Sequence, residues 1–80
     1  MRVRVLLFAR YREIAGRPEV EVEVPSGATL ATLWSGLQRD WAGLRVEAHP
    51  LMSIDQTYAT PDAILEPGRE VAFFPPVSGG

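Results

Sequence analysis

Cysteine and lysine are both absent from this chain of 80 residues, in which all eight basic residues are arginine. The absence of cysteine excludes disulfides, metal sites built from thiolates and cysteine nucleophiles. The single histidine, His49, lacks the pattern of neighbours that a metal site or a catalytic triad requires, so we expect a surface or structural role for it. The usual nucleophilic and metal-binding side chains therefore give no recognisable catalytic site.

Long apolar runs and clusters of basic residues are also missing. No apolar stretch approaches the roughly 18 residues of a membrane helix, and residues 9–13 make the N-terminal apolar run too short for a signal peptide. We therefore expect a cytoplasmic protein without membrane contact. The net charge of -2 argues against a nucleic-acid partner. A chain of this length allows one domain, without a deep catalytic cavity.

Two N-terminal strands are predicted by the alternation of apolar and polar residues. Residues 2–8 place valine and leucine on one face and two arginines on the other, while Leu6 and Phe8 indicate burial on both faces near the end of the strand. From residue 19 to 24, glutamates alternate with valines, which predicts a strand with a carboxylate-rich outer face.

Helical segments are predicted at two places. Residues 9–15 contain good helix formers, and Gly16 can end a short helical turn there. Farther along, Thr29 is suited to cap a longer helix, and we expect Gly43 to end it and residues 44–50 to form a loop. One apolar stripe at helical spacing runs along this helix, and we interpret it as part of the core: Leu30, Leu33, Trp34, Leu37 and Trp41.

The C-terminal half predicts further short strands. Residues 51–54 and 57–59 are strand candidates, and residues 70–74 form a final apolar strand. Between them, residues 60–62 are typical of a turn, and we expect a brief helical segment over residues 63–65. With one main helix available to cover a mixed sheet, these elements predict a single α+β domain.

The last six residues form an unusual segment: Pro75, Pro76, Val77, Ser78, Gly79 and Gly80. Proline fixes its own φ and restricts the preceding residue to extended conformations, so the segment should project from the domain as a spacer. Glycine has no Cβ, so Gly79 and Gly80 can pass through a narrow channel of another protein. We interpret the terminal carboxylate of Gly80 as the reactive group, which becomes an electrophile only after activation, for example by ATP.

Three groups of residues carry a resemblance that covers nearly the whole chain: Phe8, Ala9, Arg12, Glu13, Ala15 and Gly16; Leu65, Pro67, Gly68, Glu70, Val71 and Ala72; and Pro75 to Gly80. In these residues the sequence resembles the MoaD and ThiS family of ubiquitin-like sulfur carriers, in particular the MoaD branch, which forms the small subunit of molybdopterin synthase. The resemblance implies an α+β fold of the ubiquitin-like β-grasp type, a mixed sheet with one main helix packed on one face. In this fold the first and last strands are parallel neighbours at the sheet centre. It also implies a domain over residues 1–74 and a flexible Gly-Gly tail over residues 75–80.

The resemblance further implies a reaction cycle in which this chain binds no cofactor itself. A ubiquitin-activating-like adenylyltransferase of the MoeB type would use ATP and magnesium to adenylate Gly80, and a sulfur donor such as a cysteine desulfurase would convert it into a thiocarboxylate. The tail would then enter the large, MoaE-like synthase subunit and deliver sulfur to cyclic pyranopterin monophosphate, for molybdenum cofactor biosynthesis. Because cysteine is absent, a side-chain persulfide cannot carry the sulfur. The chain would be a non-catalytic, sulfur-carrying subunit.

Docking on these partners needs surface beyond the tail, because a flexible segment loses much of its binding energy to ordering. Aromatic residues often anchor interfaces. Phe74, next to the tail, and Phe8 on the neighbouring strand are therefore candidates for the partner interface. The alternative is that both belong to the core.

Two places depart from the family pattern. The family often has alanine, valine and asparagine where this chain has Ser53, Ile54 and Asp55, and an aspartate where this chain has Arg69. Neither departure touches the implied chemistry, although each can alter a turn or a partner contact.

Three other functions compete with this interpretation. A sulfur carrier for thiazole synthesis or tRNA thiolation would use the same tail chemistry with a different acceptor, although the residues from Pro75 to Ser78 favour the molybdopterin branch. A ubiquitin-like modifier would be joined to target lysines through Gly80. A binding module with an inert tail would leave the terminal composition without a cause.

Overall fold

The computed structural model describes residues 1–76 of the protein. Over that range the chain forms β1 (Arg2–Leu7), α1 (Arg10–Ala15), β2 (Glu19–Glu23), α2 (Leu30–Asp40), a 3₁₀ helix (Ala42–Val46), β3 (Leu51–Ile54), β4 (Thr57–Tyr58) and β5 (Glu70–Phe74). The five strands form one mixed sheet in the order β2-β1-β5-β3-β4. The predicted strands and the predicted main helix are confirmed. None of the helices within residues 1–76 is long and apolar enough to cross a membrane.

The first and last strands are parallel neighbours inside the sheet, as the resemblance implies. β1 pairs with β5 in parallel, with Val5 opposite Val71. β2 pairs antiparallel with the other edge of β1, and β3 with the other edge of β5. β5 is therefore the central strand of the sheet and is hydrogen-bonded along both edges, which gives the residues after Phe74 a firmly held base.

One face of the sheet packs against α2 and forms the core. Inward and outward residues alternate along the strands, so that Val5 and Phe73 are fully buried. The ring of Trp34 in α2 lies 4.8 Å from that of Phe73 and 5.1 Å from that of Tyr11, measured between centroids. The apolar stripe of α2 is thus confirmed as core, although Trp41 at its end is only partly buried.

The short helix after β1 is confirmed as α1. Gly16 follows it with a φ of 76°, in the left-handed region, and its N–H donates a 2.9 Å hydrogen bond to the backbone oxygen of Arg12. Glycine is suited to this position because it has no Cβ to clash in that conformation. The helix therefore ends where the sequence predicts.

The start of α2 agrees with the prediction, but its end does not. Thr29 caps the helix, because its hydroxyl accepts a 3.2 Å hydrogen bond from the N–H of Thr32. The prediction that Gly43 ends the helix is wrong: Trp41 already has an extended backbone, with φ -124° and ψ 94°. The chain then enters the 3₁₀ helix, so the loop predicted over residues 44–50 is wrong for its first part.

The 3₁₀ helix is held in place by contacts with α2 and α1, which a local sequence pattern does not reveal. The amide nitrogen of Gln38 donates to the backbone oxygens of Leu44 and Glu47, at 3.2 and 3.0 Å, and the Leu44 side chain is fully buried. Gly43 approaches α1 so closely that an added Cβ would lie 2.9 Å from Cγ2 of Ile14. Tertiary packing therefore decides the conformation of this segment.

The helical segment predicted over residues 63–65 is also wrong. This segment instead pairs with the start of α2, where Ile64 and Thr29 form a β-bridge. The backbone N–H of Leu30 donates a 3.0 Å hydrogen bond to the oxygen of Ala63. The first N–H groups of a helix have no partner within the helix. The pairing with residues 63–65 gives the N–H of Leu30 an acceptor, which a separate helical turn over these residues would not provide.

Candidate functional site

The outer face of the sheet, which points away from α2, divides into a charged part and an apolar part. In the charged part, Arg4 forms an ion pair with Glu19 and lies 3.5 Å from the carboxylate of Glu70. Arg2 approaches Glu21 at 3.4 Å. Both arginines are thus paired within the chain, whereas the apolar part, at the C-terminal ends of β1 and β5, exposes hydrophobic rings to solvent.

Three aromatic residues, Phe8, Tyr58 and Phe74, form the aromatic cluster of this apolar part. The rings of Phe8 and Phe74 stack, with 4.7 Å between centroids and 13° between planes, and Tyr58 meets Phe74 edge-on at 6.4 Å. Phe8 is 40% exposed and Tyr58 75% exposed. The expectation that Phe8 is buried within the strand is wrong, because Phe8 follows the last residue of β1 and stacks on the outer face. The two residues proposed for the partner interface are therefore in contact.

A cavity of about 350 Å³ opens beside the aromatic cluster. The strand register explains it, because Ala72 of β5 lies opposite Ser53 of β3 on one side and Leu6 of β1 on the other. Two small neighbouring side chains, those of Ala72 and Ser53, thus form a floor below the level of the larger ones around it. The walls are completed by the aromatic cluster and by Gln56 and Glu70.

The turn between β3 and β4 contributes a polar wall to this cavity. Asp55 and Gln56 occupy the turn with φ of 49° and 68°, as is typical of two-residue hairpin turns. The Asp55 N–H donates to the backbone oxygen of Glu70 at 2.8 Å, and the Asp55 carboxylate accepts from the N–H of Glu70 at 2.9 Å. The N–H of Glu70, and next the Arg69 guanidinium, hold the pKa of the Asp55 carboxyl below its usual value.

The tail leaves the sheet next to the aromatic cluster. Pro75 and Pro76 directly follow Phe74 and are half-buried. The remaining predicted carrier and docking residues, Val77, Ser78, Gly79 and Gly80, lie outside the described residues. Within residues 1–76, no group of histidine, aspartate and glutamate side chains could hold a metal ion. The described part of the site offers an apolar surface for contact, and the chemistry expected of the tail stays a prediction.

Sequence reasoning missed the cavity, which depends on Ser53, Tyr58, Glu70 and Ala72. Ser53 and Tyr58 come beside Ala72 only through the pairing of β3 with its two neighbours. The available signal was a small residue, Ala72, at an outward position of an otherwise bulky strand. That signal indicates a depression only once the residues opposite it are known.

A mixed sheet with its first and last strands parallel and adjacent, covered on one face by one main helix, defines a ubiquitin-like β-grasp protein. Residues 5–80 match the ThiS family, and the chain belongs to this family.

Proteins of known name show what this chain is similar to. The molybdopterin synthase sulfur carrier subunit of Escherichia coli is 36% identical over 80 residues, which cover 98% of this chain and 99% of that protein. Among solved structures, a molybdopterin converting factor subunit 1 from Pyrococcus furiosus matches with a TM-score of 0.87 and 30% identity, over 96% of this chain and 99% of that one. The small archaeal modifier protein 1 of H. volcanii matches with a TM-score of 0.85 and 26% identity, over 95% and 98% of the two chains.

Proposed function

We propose that this protein is the sulfur carrier subunit of a molybdopterin synthase and holds the sulfur as a thiocarboxylate on Gly80. The observation that carries the proposal is the match to the ThiS family, which extends through Gly80. The similarity to the E. coli sulfur carrier subunit over nearly the full length of both chains supports the choice of pathway. The fold supports it as well, because central strand β5 leads directly into Pro75.

The carboxylate of Gly80 must be activated before it can accept sulfur, because an ionised carboxyl group is a poor electrophile. A ubiquitin-activating-like adenylyltransferase joins it to AMP and releases pyrophosphate, with ATP and magnesium bound by that partner. The terminal sulfur of a persulfide on a donor such as a cysteine desulfurase then attacks the acyl-adenylate and displaces AMP, and a thiol reductant cleaves the resulting acyl disulfide to release the thiocarboxylate. In these steps the chain is a co-substrate, and cyclic pyranopterin monophosphate on the large subunit is the final sulfur acceptor.

The tail is suited to enter a narrow site on each partner. Its prolines restrict the backbone to extended conformations, which lowers the entropy lost when the segment is ordered on a partner. Glycine at positions 79 and 80 leaves no side chain beside the reacting carboxyl group. The proposed docking strip consists of Pro75, Pro76, Val77, Ser78 and Gly79.

The aromatic cluster is the proposed docking surface for the large synthase subunit. It lies beside the base of the tail, so a partner that receives the tail can bury Phe8, Tyr58 and Phe74 in the same contact. Burial of exposed rings supplies binding energy that a six-residue tail lacks. We place this assembly in the cytoplasm, without contact to nucleic acid or membrane.

Deletion of Gly80 tests the proposed function. We expect the variant to fold with unchanged thermal stability and to lose conversion of cyclic pyranopterin monophosphate, in an assay with the large subunit, the activating enzyme, ATP and a sulfur source. Val46→Ala is a matched control, because Val46 is 80% exposed in the 3₁₀ helix, and this variant should retain conversion. Conversion by the Gly80 deletion variant would refute the assignment.

The similarity to the small archaeal modifier protein 1 favours a second candidate function, a modifier joined to target lysines through Gly80. Both functions need an adenylated Gly80, so deletion of this residue does not distinguish them. Denaturing electrophoresis of host lysates distinguishes the two functions. Covalent adducts that contain this chain indicate a modifier, and their absence beside a detectable thiocarboxylate indicates a carrier.

A further inference from the structure

The cavity over Ala72 has two ends of different chemistry. The aromatic cluster forms one end, and the Glu70 carboxylate and the Gln56 side chain form the other. The Ser53 side chain contributes to the floor between them. A site for a purely apolar side chain would not place a carboxylate at its edge, because covering that charge without a partner is unfavourable.

Glu70 retains capacity to accept hydrogen bonds. Within residues 1–76 its carboxylate has one ion pair, a contact of 3.5 Å with a terminal guanidinium nitrogen of Arg4. The Nε of the same arginine is bound to Glu19 on the opposite side. Arg4 therefore holds Glu70 only at one nitrogen and at long range, and the carboxylate, on a side chain one-third exposed, remains accessible at the cavity.

We propose that the cavity binds the side chain of an arginine from the protein that docks on this face, an inference that rests on the proposed docking function. A guanidinium group is planar, so it stacks on aromatic rings and also binds a carboxylate through paired N–H groups. The aliphatic part of an arginine packs over Ala72 and Leu6. The ammonium group of lysine is compact and strongly hydrated, and it fits the space between rings and carboxylate less well.

Arg4 acts as an internal competitor in this arrangement. When an external guanidinium binds Glu70, Arg4 keeps its ion pair with Glu19 and gives up only the 3.5 Å contact. Removal of Arg4 should therefore strengthen binding of the external group. When the partner's arginine replaces Arg4 at the Glu70 carboxylate, no charge is left unpaired. The docking therefore stays reversible, which a carrier that binds several partners in turn requires.

The test is an NMR titration of the ¹⁵N-labelled full chain with three probes: N-acetyl-arginine amide, its uncharged analogue N-acetyl-citrulline amide, and N-acetyl-leucine amide. We expect the arginine probe to shift the amide signals of Gln56, Tyr58 and Ala72 in a saturable way. Its affinity should exceed that of the citrulline probe by roughly fivefold, the size of a partly exposed ion pair. Glu70→Gln should abolish this preference, and Arg4→Gln should increase it.

Glu21→Gln is the matched control, because Glu21 lies in the charged part of the same face but does not line the cavity. This variant should keep the preference for arginine. Ala72→Leu fills the floor and should weaken binding of all three probes, and thermal melts of each variant verify folding.

The proposal is wrong if the leucine probe binds as tightly as the arginine probe, or if Glu70→Gln leaves the preference unchanged. Its failure can be told apart from failure of the docking function. If Phe74→Ala weakens binding of the large subunit while the arginine probe does not bind, the docking surface stands and only the identity of its occupant is refuted.

Discussion

Arg69 donates a 2.7 Å hydrogen bond to the carboxylate of Asp55, so two residues that depart from the family pattern are in direct contact. The resemblance described above implies that family members often have an amide at the first position and a carboxylate at the second. In this chain the carboxylate is at position 55 instead of position 69, and Arg69 pairs with it. The pair fixes the β3–β4 turn to the start of β5 beside Glu70. We interpret the two departures as one compensated change.

Charge substitution at this pair should show the compensation. Arg69→Asp places a second carboxylate beside Asp55 and should lower the melting temperature, because it replaces attraction by repulsion. The double variant Asp55→Asn with Arg69→Asp restores the family's combination and should recover much of the loss. Thermal unfolding of the wild type, both single variants and the double variant measures this. Additive effects of the two substitutions would contradict the coupling.

The depressed pKa of Asp55 should make the stability of this turn dependent on pH. Because the folded-state pKa lies below the unfolded one, the carboxylate contributes stability above about pH 4, and this contribution is lost as the pH falls through the folded pKa. The free energy of unfolding of the wild type should therefore exceed that of Asp55→Asn at neutral pH, and the difference should shrink in acid. Urea unfolding at several pH values measures this difference, and one that stays constant with pH would refute the role of the ionised carboxylate.

Two glycines should respond in opposite ways to substitution by alanine. Gly43→Ala places a Cβ 2.9 Å from Cγ2 of Ile14, which is partly buried, so the Ile14 side chain, α1 or the 3₁₀ helix must shift. We expect a loss of about 1 to 3 kcal/mol in the free energy of unfolding. Gly36→Ala meets only the end of the Arg39 side chain at 3.7 Å and lies inside α2. This control should gain about 0.5 to 1 kcal/mol. Equal effects in denaturant unfolding would refute the close packing at Gly43.

The aromatic cluster should contribute more to partner binding than to folding. Phe74→Ala removes the ring that contacts both Phe8 and Tyr58, and we expect it to weaken the affinity for the large subunit by about 2 kcal/mol. The loss in binding free energy should exceed the loss in the free energy of unfolding. Ile64→Ala is the matched control, because Ile64 is 63% exposed and lies outside the cavity. Unchanged affinity of Phe74→Ala in a titration would refute the docking surface.

The elements that local pattern decides were predictable from the sequence. The alternation in β1 and β2, the Thr29 cap and the stripe on α2 each depend on neighbours within one or two turns of chain. The parallel pairing of the first and last strands at the sheet centre followed from the family resemblance. The tail chemistry stays a prediction: the residue types of the tail indicate an activated terminal carboxylate, and the family resemblance adds the sulfur.

The features that depend on long-range contacts were not predictable. The 3₁₀ helix forms because Gln38 binds two carbonyl groups beyond the end of α2, and residues 63–65 pair with the start of α2. The cavity requires Ser53 and Leu6 to flank Ala72, which only the register between three strands establishes. In each case the deciding partner is remote in sequence or contributes through its backbone, and side-chain periodicity gives no signal of it.

Intact mass spectrometry tests the central claim most directly. The protein is purified from its native host under mild conditions and measured before and after incubation with ATP, the activating enzyme and a sulfur source. We predict a mass increase equal to the replacement of one oxygen by sulfur, located by fragmentation to Gly80 and missing from the Gly80 deletion variant. A terminus that remains a plain carboxylate under these conditions, with the activating enzyme shown to be competent on another carrier, would contradict the account.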